Sequence, residues 1–210
     1  MSKDSRIDIA GQLPEKVLSI FEAVSDLLGQ DIDLSSLTVA VITEKAGIGK
    51  GTAYDYFDSK EEIIASAMIY QMHNVLEEVW SGLQSKGNFA ESIEYLLQCI
   101  DDNVKGKSCI VRFATLLMDK SEIGKKLRSL LERQECNNCH PELFLKNIIA
   151  RGVETGELRK ELPVPYMVRM VISKLLSYAV FLLDGKNTEE EKEQFKKYLY
   201  QGIIDEFLTK

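Results

Sequence analysis

Between Ala46 and Phe57 the sequence reads AGIGKGTAYDYF, with Gly47, Gly49 and Gly51 set around Lys50 and followed by Thr52, Tyr54 and Tyr56. Glycines let backbone N–H groups approach an anion closely, and a lysine among them supplies charge. The chemistry this points to is phosphate binding, either of a nucleotide or of a nucleic-acid backbone. A nucleotide loop of the form G-x-x-x-x-G-K-[ST] fails at both ends, since Gly51 follows Gly49-Lys50 and Glu44 stands where the first glycine belongs. A dinucleotide G-x-G-x-x-G would need glycine where Thr52 stands, and a strand before it, whereas VITEKA reads as helix.

A second group with chemical potential is Cys136-Asn137-Asn138-Cys139-His140-Pro141. Its C-x-x-C-H form is that of c-type haem attachment, which requires an exported chain; the start MSKDSRIDIA lacks the basic-then-apolar order of a secretory signal. Two thiolates and an imidazole suit a soft metal or a thiol switch, and a fourth metal ligand would have to come from Cys99, Cys109 or His73. The plainer reading is a kink or restart of a long seventh helix at Pro141. That reading is favoured, and no metal or cofactor is assigned. His73 and His140 are the only histidines and no acid–base constellation is visible, so an enzyme is not expected. An all-α enzyme or small-molecule carrier on a shared helical framework is the competing class.

The elements that must position the glycine-rich stretch are helices. A hydrophobic fraction of 45% fits a globular chain, and the expected location is the cytoplasm, with no membrane partner. From Pro14 onward apolar residues recur at three and four, without strand-like alternation, so an all-α fold of about nine helices is expected. The first helix starts near Pro14, read as its N1 residue, and carries Val17, Leu18, Phe21, Val24 and Leu28 on one face, with Gly29 placed to end it. Thr38 is a good N-cap for a second, two-turn helix that Gly47 can terminate. Gly49 caps a third short helix ending near Phe57, and Ser59-Lys60-Glu61-Glu62 has the form of a capping box opening a long fourth. Ile42, Ala46, Ile48, Ala53 and Phe57 are expected to form the small core. Short helix, glycine turn, short helix and capped long helix is the layout of a helix-turn-helix DNA reader. Bulk charge does not announce it: the net charge is -7, and acids outnumber bases within residues 1–60 as well.

The stretch LTVAVITEKAGIGKGTAYDYFDSKEEII resembles the DNA-binding signature of the tetracycline-repressor-like (TetR) family of transcriptional regulators, most closely from Thr38 to Ile64. The resemblance implies a DNA-binding domain over residues 1–59 and an effector-binding and dimerisation domain over 60–210. It agrees with the geometry in giving DNA-contacting roles to Thr38, Gly49, Lys50, Gly51, Thr52, Tyr54, Tyr56 and Lys60. This chain departs from the family pattern in three places. Gly49 replaces a Ser or Thr, the connector from Gly29 to Val39 is longer, and Asp55 and Asp58 stand near the phosphate track, from which they are expected to turn away.

A helix over residues 60–86 would run about 40 Å and link the reading head to the remainder. The last two helical segments are apolar on more than one face. One reading buries both inside a single subunit. The other, which the resemblance supports, is a four-helix homodimer interface using Val171, Leu175, Ala179, Leu182, Phe195, Leu199 and Ile203, with recognition helices about 34 Å apart on a palindromic operator. The resemblance further implies a small-molecule effector pocket. Asn74, Tyr95, Cys99, Phe113, Phe144, Met170 and Tyr178 mix apolar walls with polar tips and are the candidates. Repression relieved by a ligand that favours the DNA-incompetent state is the mechanism expected.

Overall fold

The computed structural model describes residues 12–29, 34, 36–104, 109–133 and 141–209. Their regular structure is helical: α1 (Glu15–Gly29), α2 (Val39–Lys45), α3 (Lys50–Tyr56), α4 (Lys60–Leu83), α5 (Phe89–Val104), α6 (Cys109–Met118), α7 (Glu122–Arg133), α8 (Pro141–Glu154), α9 (Val164–Leu183) and α10 (Glu189–Phe207). One isolated antiparallel bridge joins Leu158 to Leu208. The described residues thus hold ten helices where about nine were expected, because the long seventh helix, expected to kink or restart at Pro141, restarts there and counts as two, α7 and α8. Proline suits the first position of α8, where its missing N–H needs no partner. Cys136, Cys139 and His140 lie outside the described residues. Pro14 precedes α1 rather than opening it, and its carbonyl accepts from the N–H groups of Val17 and Leu18 at 2.9 and 3.1 Å.

The chain forms two compact units, one of Met1–Val75 and Arg112–Cys139, the other of Leu76–Val111 and His140–Lys210. The first therefore holds more than residues 1–59: it takes in the start of α4, the end of α6 and α7. At its centre is Phe21 of α1, fully buried, with its ring 5.9 Å from that of Phe57 and 5.3 Å from that of Tyr70. One aromatic side chain thereby ties α1 to the end of α3 and to α4. Val17, Ile20 and Val24 on the same stripe of α1, with Ile42, Ala53, Ile63, Ile64 and Met68, complete the buried set. Such burial gives this short three-helix unit most of its stability, since helices of seven residues are not stable alone.

In the second unit α9 packs against α5, α8 and α10, burying Met167, Val168, Val171, Tyr178 and Ala179. It is the one described helix long and apolar enough to cross a membrane, but it carries Arg169 and Lys174, and the Lys174 ammonium donates to Gly202 O and Glu206 of α10 at 3.0 and 2.8 Å. Trp80 lies against Phe144, with ring centres 5.1 Å apart, and Phe89 meets Phe207 edge-on. The C-terminal end is tied down by backbone bonds from Arg159 N to Phe207 O and from Thr209 N to Glu157 O, both 2.9 Å. Thr188 and Glu191 form a reciprocal capping box at the start of α10.

Candidate nucleic-acid interface

Each helix of the reading head is set by a local device. Thr38 has extended backbone and its Oγ1 accepts from Val41 N at 3.3 Å, capping α2. Gly47 then takes φ +68°, a left-handed conformation that a side chain strains, and so ends the helix. Gly49 is the extended N-cap of α3 and provides no side-chain bond, leaving the first N–H groups of that helix for an outside acceptor.

Ala53 and Phe57 face inward and are buried, which fixes the rotation of α3. Lys50, Gly51, Tyr54 and Asp55 are exposed on the other side, while Thr52 and Tyr56 are half-buried at its flanks. Tyr54 is 49% exposed. A Cβ added to Gly51 would meet nothing within 4 Å. Packing within the chain therefore does not require glycine there, and the open surface it leaves suits close approach by another molecule. Asp55 lies two residues from buried Ala53, about 200° around the helix, so it shares the outward face with Gly51. Asp58 is exposed just beyond α3.

Lys60 is the first residue of α4 and half-buried. Lys45 at the end of α2 is paired with Asp26 of α1 at 3.0 Å. At the α4 cap, Ser59 Oγ accepts from Glu62 N at 3.2 Å, and the Glu62 carboxylate accepts from Asp58 N at 2.6 Å, one residue ahead of where a reciprocal box would place it. The sequence pattern reveals the cap. It gives no hint that Lys126 of α7 also reaches Glu62, at 2.9 Å, because the partners are far apart in the chain.

The residues expected to line an effector pocket fall in both units: Asn74 is exposed and Phe113 buried in the first, and the others belong to the second. Within the second, Tyr95 and Cys99 are one turn apart on α5 and hydrogen-bonded. Burial, then the bond to Cys99, push the Tyr95 hydroxyl up to about 12, and burial also pushes the Cys99 thiol up. The Tyr95 ring carries the Lys86 ammonium 4.6 Å from its centre and covers Gly82 so closely that a Cβ there would displace the ring. Tyr178 is buried and its hydroxyl donates to Asp101, which also pairs with Lys196 of α10. Burial first, and then this carboxylate, raise the Tyr178 hydroxyl well above the ordinary tyrosine range. Phe144 is buried against Trp80 and Met170 is half-buried.

Of the residues expected at a dimer interface, Val171, Ala179 and Ile203 are buried within one protomer. Leu175, Leu182, Phe195 and Leu199 are half-buried. Phe195 stacks between Phe181, 4.2 Å away, and Tyr178, 6.1 Å away. The large apolar side chains left exposed on these two helices are Tyr166, Val180 and Leu183 of α9 and Tyr198 of α10, the last 67% exposed.

Residues 30–67 match the family model described as bacterial regulatory proteins, tetR family. The fatty acid metabolism regulator protein of Bacillus subtilis (strain 168) is 22% identical over 162 residues, which cover 76% of this chain and 79% of that protein. The crystal structure of the transcriptional regulator FadR from Bacillus subtilis in complex with stearoyl-CoA superposes with a TM-score of 0.70 at 18% identity, covering 89% of this chain and 97% of that one. The fatty acid degradation regulator FadR from Bacillus halodurans gives a TM-score of 0.72 at 17% identity, covering 92% and 97%.

Proposed function

We propose that this chain, whose residues 30–67 match the tetR-family model, is a ligand-responsive DNA-binding transcriptional regulator that acts in the cytoplasm as a homodimeric repressor of a palindromic operator. The observation that carries the DNA-reading site is the outward face of α3. There Gly51 leaves open space beside exposed Lys50 and Tyr54. In this reading Thr38, Gly49, Thr52, Tyr56 and Lys60 hold phosphates around that face.

Homodimerisation is supported by the exposed apolar side chains of α9 and α10, which a second copy would cover. For the effector we infer a fatty acyl thioester of the stearoyl-CoA type, on the likeness to the two FadR structures and to the Bacillus subtilis regulator. The test is fluorescence anisotropy with a duplex from immediately upstream of the protein's own coding sequence. The wild type binds it, and stearoyl-CoA releases it. Binding that stearoyl-CoA leaves untouched would refute the effector class and leave the DNA-reading function standing.

A further inference from the structure

Glu62 joins three elements. One carboxylate oxygen accepts from Asp58 N at 2.6 Å and the other meets the Lys126 ammonium of α7 at 2.9 Å. Glu62 is 18% and Lys126 28% exposed, so water and salt screen the pair less than an open surface pair. Asp58 directly follows Phe57, the buried C-cap of α3. The carboxylate thus spans the short joint between the reading helix and the first turn of α4.

The other end of the pair is equally fixed. Arg128, on the same helix as Lys126, donates from Nη1 to the carbonyls of Leu117 and Asp119 at the end of α6, both at 2.8 Å. Gly124 sits so close to α6 that a Cβ would lie 2.7 Å from Leu116 O and 2.6 Å from Asp119 O. Ser121 Oγ accepts from Gly124 N at 3.2 Å and closes the corner. These bonds and the tight fit make α7 and the end of α6 one rigid corner. Lys126 is its link to the joint behind α3.

We propose that the Lys126–Glu62 ion pair is a positioning contact for DNA reading, through which the α6–α7 corner sets the angle of α3. The proposal rests on the DNA-reading function above. Without the pair the joint samples several angles, and only the fraction in the reading orientation binds.

The test compares Lys126→Met, Glu62→Gln, the double variant and Lys126→Arg, each by anisotropy with the upstream duplex, thermal midpoint, and hydrogen exchange at Asp58 N. Lys126→Met is expected to weaken DNA binding about five- to tenfold, a total loss of about 1–1.4 kcal/mol. It leaves the melting temperature nearly unchanged and speeds Asp58 exchange. The double variant binds no worse than the weaker single one, and Lys126→Arg restores affinity. Lys126→Met that binds like wild type with Asp58 exchange unchanged overturns the proposal, as does additivity of the two substitutions. A wild type that binds no DNA overturns the underlying function and this role with it. Should Lys126→Met not fold, Lys126→Gln keeps polarity at the site and gives the same readings.

Discussion

Two glycines four residues apart in the reading head do different work, and substitution separates them. Gly47 sits at φ +68°, so Gly47→Ala loses about 1 kcal/mol of stability, read as a lower unfolding midpoint in urea. Gly51 lies in ordinary helix with open space beside it, so Gly51→Ala stabilises the fold by about 0.5–1 kcal/mol. It nonetheless weakens DNA binding, because the added methyl stands between the backbone and the duplex. A variant that melts higher and binds worse is the expected pairing; unchanged affinity would remove Gly51 from the interface. Asp55 provides the opposite sign. It lies on the same outward face, so Asp55→Asn removes a repulsion from phosphate and tightens binding about fivefold at low salt, an advantage that shrinks as salt is added. Weaker or unchanged binding by Asp55→Asn would contradict this placement.

Among the elements, those with local signals were legible in the sequence and those defined by distant partners were not. The bounds of α2, α3 and α4 follow from Thr38, Gly47, Gly49 and Ser59, each acting on its own backbone within four residues. At Pro141 the sequence left a kink and a restart open, since a proline at N1 and a proline inside a helix look alike in sequence. On α9 the apolar stripe is too wide to show which side faces inward: Ala179 is buried while its neighbour Val180 is 52% exposed. The bond from Tyr178, a pocket candidate, to Asp101 was not legible, because periodicity carries no information about a partner on α5. The α9–α10 contact also sets a pH response. Burial works to raise the Glu206 carboxyl, but bonds from Lys174 and Tyr166 outweigh it and hold it below its ordinary 4.5. A depressed carboxyl contributes stability that is complete above the unfolded value and lost as pH falls through the folded one. Thermal midpoints should therefore drop as pH falls below about 4.5, and Glu206→Gln should flatten that drop while lowering stability at neutral pH. An identical acid limb in the variant would assign the response to other carboxylates.

At the scale of the whole molecule, a net charge of -7 has to be reconciled with a polyanionic partner. In the proposed reading few contacts are concentrated on one face and, in the proposed dimer, that face is used twice. Each phosphate neutralised contributes about 0.9 to the slope of log affinity against log salt, so a head with Lys50 and Lys60 as its cations gives a shallow slope. The dimer is tested by Val180→Glu with Leu183→Glu, both on the exposed face of α9 and away from the protomer core. The pair should give a folded monomer by light scattering that has lost tight binding to a two-site duplex. A variant that remains dimeric would move the interface elsewhere. The central claim, that the α3 face grips a DNA backbone, is tested most directly by anisotropy titration of the upstream duplex across a salt series with wild type and Tyr54→Phe. The account predicts saturable, salt-weakened binding by wild type and a loss of about fivefold or more in the variant, whose missing hydroxyl removes one phosphate bond per head. Absence of wild-type binding, or equal binding by both proteins at every salt concentration, would contradict it.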